Sequence, residues 1–584
     1  RYGDTSGFEQ DPYLLYAWRY RDYVIKSFNE DKPYDRFILE TIAGDEIFPE
    51  DPEAQQGTGF YTVGTNRDML YKVEDINRIE TLTDFVDTTS SVFMGLTVGC
   101  ARCHDHKYDP IPLRDYFRMQ AIFVPAVKTR IFLDYNAARG YDIGENVRTA
   151  KLYEFGAELQ DLMGPYRDRL YQSRLATLPA EVQAAFALDE QQRSPRQRAL
   201  TEEHKRAVAV SDDEVRSAMT QADRERLQAI ERRLTSLFTR YAPGPFSPGV
   251  IDAGREAERV YVPVKGGAGP GEEAHPGFLT ALGGGDVPQP PLTATTTGRR
   301  KALAEWMARA DHPLTARVMV NRVWHYHFGR GLVASPSDFG ARAGEPSHPE
   351  LLDWLAAEFT SQGWSLKKLH KTIMMSAVYR QSSRPAPGAD GKDPENIWLS
   401  HFTRRRLEAE EIRDAVLQAS GSLNLKMGGR PVVPPLAREE LYGMSQPTNN
   451  AWITTANSSE HDRRSIYLIS RRTFRVPMLE VFDRPEGVLS CSRRDSSTTP
   501  TQSLSLLNSG FSLDMARRLA ARLPADGAVQ AAWQHVLGRL PSPEEEAAAT
   551  RFLTTQAANL GSQQAALTEL ARSLFNINEF LYVD

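Results

Sequence analysis

A mainly α, multidomain fold is what this sequence predicts, and three observations carry it. Apolar residues recur every three to four positions over most of the chain, the period of one helix face. Proline and glycine are concentrated in one central stretch, which reads as a boundary. At 584 residues the chain exceeds what one hydrophobic core organises, so several domains are expected.

Taken in order, Tyr13, Leu14, Trp18 and the run from Tyr20 to Ile25 open one amphipathic helix, and Phe37, Ile38 and Ile42 form another. Asp75 to Val98 leads a further helix towards Cys100. These elements make a first domain over residues 1–135. Residues 136–245 carry Leu152, Phe155, Leu159 and Leu162, then Leu227, Ile230, Leu234 and Leu237, among dense charges. That pattern predicts a charged helical hairpin or coiled coil inserted into the chain, with a solvated outer face. Residues 246–298 read as a Gly/Pro-rich linker, with one short strand at Arg259 to Val264. From 299 to 584 helical segments return, at 301–309, 314–328, 348–362, 365–379, 404–420, 499–522, 529–537 and 542–552. Gly329 supplies a helix stop, Ser347-His348-Pro349-Glu350 a start, and Ser496 to Pro500 a cap for the 499–522 helix. A few short strands are expected, one of them at Arg464 to Leu468.

Composition narrows the function classes. With 70 basic and 76 acidic residues mixed along the chain, the formal charge of -6 points to neither nucleic acid nor an anionic membrane. No run reaches the roughly 18 apolar residues of a bilayer span. The sequence begins Arg1-Tyr2-Gly3-Asp4 without a methionine, so it is expected to be a fragment whose N-terminus, with any export signal, is lost. Only Cys100, Cys103 and Cys491 are present, which excludes a disulfide-built scaffold.

Two of those cysteines form Cys100-Ala101-Arg102-Cys103-His104, the pattern that attaches haem c. Two thiols one turn apart add to the haem vinyl groups, and the following imidazole ligates the iron. Met94, His106, Met119, His325, His327 and His348 are candidates for the sixth ligand. The same stretch offers another chemistry, because Cys100, Cys103, His104, His106 and Asp109 could hold zinc or iron without haem. A thiol redox pair or a plain structural role is the remaining reading. A second candidate constellation lies in the last domain. There Arg322, His348, Asp353, Arg405, Arg406, Glu408, Asp483 and Arg493 could serve an anionic sugar, since guanidinium forks suit sulfate and carboxylate. Arg406 and Glu410 could equally form an ordinary ion pair on a helix surface.

The run from Gly95 to Ile111, Gly-Leu-Thr-Val-Gly-Cys-Ala-Arg-Cys-His-Asp-His-Lys-Tyr-Asp-Pro-Ile, resembles the hallmark of the planctomycete cytochrome C-like domain. Tyr16 to Ile25 resembles the same domain, of which residues 1–135 would be the C-terminal part. Asn321-Arg322-Val323-Trp324, Phe328 to Val333, His348 to Leu355, Tyr379 to Ser383, Arg405 to Glu410, Thr499 to Leu504 and Asn578 to Asp584 resemble planctomycete-specific domain one. After the Val260 strand this chain has Lys265-Gly266-Gly267 where that family has an Arg-Gly-Asp-like triplet. The resemblance implies an exported protein, periplasmic or on the cell surface. It would be a c-type haem electron-transfer protein working with a redox partner or, alternatively, a non-haem metal hydrolase or glycan-binding protein serving (sulfated) polysaccharide processing.

Overall fold

The computed structural model describes residues 2–7, 11–64, 74–133, 135–189, 192–240, 245–264, 270–289, 295–385, 387–388, 391–437, 439–441 and 452–584. The Lys265-Gly266-Gly267 segment lies outside these. The fold is mainly α: 22 α-helices stand against three two-stranded pairs among the described residues. No helix among them is long and apolar enough to cross a membrane.

Residues 132–246 form a compact unit by themselves. Its long helix Tyr135–Leu175 packs on Gln221–Arg240, with the shorter helices Ala180–Phe186, Pro195–Val208 and Asp212–Ala218 completing it. Phe155, Leu162, Met163, Val215, Met219, Leu227 and Ile230 make its core, so the three-and-four stripe is a packing surface. Ser194 and Ser211 start two of the helices with reciprocal capping boxes.

Residues 1–131 and 247–584 form the other unit, which holds two cores. The first runs from Ala17 to Phe402 and the second from Ala409 to Leu581. This redraws the expected linker boundary at 246–298, because residues on either side of it share one core. The Tyr34 ring packs at a tilt against Phe359 and Trp364, with centroids 6.1 and 6.3 Å away, and the Asp31 carboxylate accepts the Lys367 amide at 3.0 Å. Arg300, wholly buried, fixes the join. It donates to Asp45 at 2.8 and 2.7 Å and to Asp252 at 3.2 Å, and lies 3.2 Å from Glu46. The strands Ala126–Phe132 and Phe246–Asp252 pair, and Tyr261–Pro263 pairs antiparallel with Pro270–Glu273.

Two local expectations are corrected. Arg464 to Leu468 is a turn of 3-10 helix at Ser465–Tyr467 rather than a strand, because the Tyr467 and Leu468 amides bond back to Arg464 and Ser465, and only an isolated bridge joins Leu468 to Val432. The helix expected from Arg404 begins at Ala409. Arg405–Arg406 is instead a short strand paired with Tyr582–Val583, and Glu408 caps the helix that follows.

Candidate functional site

The Cys-x-x-Cys-His loop starts at the end of helix Glu74–Thr89, which finishes in a π turn at Ser90–Met94. Gly95 stops that turn in the left-handed region at φ 62°, where a side chain is disfavoured. Its carbonyl accepts the Phe339 amide at 2.6 Å. A 3-10 turn follows over Val98–Arg102. With three residues per turn, positions three apart share a face. Val98 and Ala101 are buried, and Cys100 and Cys103 are exposed. The spacing of the thiols and the spacing of the anchors thus come from one geometry.

His104 is exposed as well, and its orientation is set by the next residue. Nδ1 lies 2.7 Å from the Asp105 carbonyl, an acceptor, so Nδ1 is the donor, and in the neutral ring Nε2 is the nitrogen with the lone pair. Asp105 in turn accepts the Leu113 amide at 2.8 Å, capping the first turn of helix Leu113–Phe123. The loop is therefore pinned at both ends, with two thiols and one imidazole nitrogen facing solvent.

His106 and Asp109 turn the other way. Their side chains are almost wholly buried, the Asp109 amide donates to His106 Nδ1 at 2.9 Å, and the Asp109 carboxylate accepts the Ala341 amide at 2.7 Å. They lock the loop to the segment around Gly340. Cys100, Cys103, His104, His106 and Asp109 are accordingly not gathered, and among the described residues no group of three or more His, Cys, Asp or Glu is placed to hold a metal ion.

Behind Gly99, next to the first thiol, lies a half-buried acid, Asp87. A Cβ at Gly99 would stand 3.1 Å from Asp87 Oδ2. Burial pushes the Asp87 carboxyl up to about 6, and its Oδ1 and the hydroxyl of fully buried Tyr116 lack well-formed hydrogen bonds.

The candidates for a sixth ligand are scattered. Met94 and Met119 are completely buried in the first core. His327 bonds to His370, Nε2 to Nδ1, at 2.8 Å, and His348 sits at the start of helix Pro349–Ser361 with its ring 5.6 Å from Trp398. His325 belongs to a different place, a cleft of about 430 Å³ at the end of helix Thr315–Phe328.

That cleft gathers five of the eight residues singled out for an anionic ligand: Arg405, Arg406, Glu408, Asp483 and Arg493. The other three serve elsewhere. Arg322 donates to the Ser91 carbonyl at 2.7 Å and brackets the π turn, Asp353 pairs with Arg317 at 2.7 Å, and His348 precedes its helix with Nδ1 3.0 Å from the Ser347 hydroxyl. Within the cleft, Arg406 is held by Asp483 at 2.6 Å and Arg494 by Glu408 at 3.2 Å, whereas Glu410 pairs with Arg494 and Arg484 rather than Arg406. Arg330, Arg494 and Tyr326 join the cleft without having stood out in the sequence. Nothing local marks them, because their partners lie tens to hundreds of positions away.

Two family models match the chain. Residues 1–128 match PSCyt2, described as a protein of unknown function (DUF1549), and residues 299–553 match PSD1, described in the same words (DUF1553). No curated protein and no solved structure matches.

Proposed function

We propose, from its PSCyt2 and PSD1 matches together with the Cys-x-x-Cys-His loop, that the chain is a c-type haem redox protein of the cell envelope. Cys100 and Cys103 would hold the haem and His104 would ligate its iron. The observation that carries the reading is the hydrogen bond from His104 Nδ1 to the Asp105 carbonyl, which leaves Nε2 free and fixed in direction beside two exposed thiols.

The chain's own chemistry is simple. Cys100 and Cys103 would each be joined to the group by a thioether, an S–H addition across a vinyl in which the proton would pass to the other vinyl carbon, so that no oxidant would be consumed. Bound haem supplies a reversible one-electron change at iron. Asp105 holds the imidazole in the ligating tautomer, and Val98 and Ala101 keep the turn seated so that both sulfurs stay on one face. Covalent attachment takes place in an exported, thiol-managed compartment, which supports a periplasmic or surface location and a redox partner there.

The test is expression with cytochrome c maturation machinery, followed by a haem stain after denaturing electrophoresis and an absorption spectrum. Wild type should retain covalent haem. Cys100→Ala with Cys103→Ala should abolish it, and His104→Ala should leave attached haem with an altered spectrum. Matured protein without covalent haem refutes the proposal, and stoichiometric zinc or iron without a Soret band would favour non-haem metal chemistry at the same loop.

A further inference from the structure

We propose that the cleft at the end of helix Thr315–Phe328 is a binding site for a sulfate or phosphate monoester carried on a ring, with Arg405, Arg493 and His325 gripping the oxyanion. The cleft is separate from the thiol loop, so this inference stands or falls independently of haem.

The argument begins with what is already paired. Of the arginines lining the cleft, Arg406 is held by Asp483 and the Ser497 carbonyl, Arg494 by Glu408 and Glu410, Arg330 by Glu395 at 3.4 Å and Arg404 by Asp584 at 2.9 Å. Among the described residues, Arg405 and Arg493 have neither an ion pair nor a side-chain hydrogen bond, and the Arg405 Nε is buried without a partner. Two guanidiniums left unpaired in one concavity repel each other, and an anion between them removes that cost.

His325 supplies the second, independent observation. It is 8% exposed, lines the same cleft, and its Nδ1 is buried with no partner. An unpaired buried polar atom is costly and is rarely left so without a ligand. Burial first, then the nearby Arg493 and Arg405 charges, hold its pKa down, in keeping with the shared lining of the cleft. A neutral imidazole there donates a hydrogen bond without adding a third repelling charge.

The number and origin of the donors indicate the shape of the ligand. Three groups come from three separate segments: a helix end, the strand Arg405–Arg406 and the 493 loop. A tetrahedral monoester has three free oxygens for them, whereas a carboxylate has two. The ester's fourth oxygen leads to a body that must be accommodated, and Tyr326, at 47% exposure, with Tyr582 offers aromatic faces in the same cleft. Glu408 and Asp483 keep the wall from being uniformly basic, which favours a single charged group over a polyanion lying along it.

The experiment is isothermal titration of the full chain, at low ionic strength, with glucose 6-sulfate, glucose 6-phosphate, glucuronate and glucose. Saturable binding of one or both esters is expected, and which ester binds more tightly distinguishes the two sources of the oxyanion. Arg405→Gln and Arg493→Gln should each weaken binding by about tenfold or more, as expected for loss of a charged hydrogen bond, while the unfolding temperature stays unchanged. His325→Asn should weaken it as well, and a variant that fails to fold is replaced by competition of the wild type with inorganic sulfate and phosphate, which should displace the ester. Absence of saturable binding by either ester, binding indifferent to both arginine substitutions, or glucuronate binding as tightly as the esters would each overturn the assignment.

Discussion

Replacing Arg300 with methionine removes one guanidinium from a pocket that holds three carboxylates, and the cost can be worked from its contacts. Arg300 is wholly buried, bidentate to Asp45 at 2.8 and 2.7 Å, bonded to Asp252 at 3.2 Å and to the Ile42 carbonyl at 3.2 Å, with Glu46 also 3.2 Å away. Methionine fills most of the volume, so cavity formation contributes little. What remains is buried negative charge without its counter-ion, for which breaking a buried pair costs about 3–5 kcal/mol. Asp45 and Glu46 lie in the PSCyt2 match and Arg300 in the PSD1 match, so the loss falls on the join between them. Urea unfolding at pH 7.5, followed by tryptophan fluorescence, should show the midpoint falling by about 1 M or more. An unchanged midpoint would show that the two segments do not depend on this pocket and refute the reasoning.

Glu46→Gln tests the same pocket from the other side. Burial, only partly offset by Arg300, raises the Glu46 carboxyl, so the wild type loses stability as the pH rises through that raised value; the variant should flatten the curve and be the more stable at alkaline pH, read by thermal unfolding across pH. Asp87→Asn should gain about 2 kcal/mol at pH 8 and nothing near pH 4, since ionising Asp87, with its carboxyl raised to about 6, costs stability only above its unfolded pKa; equal gains at both pH values would discard this account of the acid behind Gly99. Gly95→Ala forces a Cβ at positive φ to within 2.9 Å of Val318 and 3.0 Å of Phe339, so denaturant titration should show a loss of about 1–3 kcal/mol, and no loss would mean the turn into the thiol loop tolerates a side chain.

Sequence alone determined the features that depend on neighbours in the chain. The helix class followed from apolar periodicity, and the end of helix Thr315–Phe328 was legible in Gly329, which adopts the left-handed cap at φ 77°. Thr499 likewise caps helix Pro500–Asn508, with Gln502 closing the box. The Cys-x-x-Cys-His spacing was visible because both thiols and the imidazole lie within five positions, where one local turn sets their faces. What the tertiary structure decided was every question of which distant group answers a side chain. His106 and Asp109 looked as available as His104, yet they point inward because the Ala341 amide, 232 positions from Asp109, takes the carboxylate. Arg405 and Arg406 are adjacent and chemically identical, but Asp483 claims only Arg406. His325 was visible only as a possible haem ligand, and the fold put it in one cleft with Arg405 and Arg493 instead. Periodicity and spacing record which way a residue faces on its own element; which partner meets it there is settled only when separate elements pack, because burial makes an unmet charge or polar atom too costly to leave.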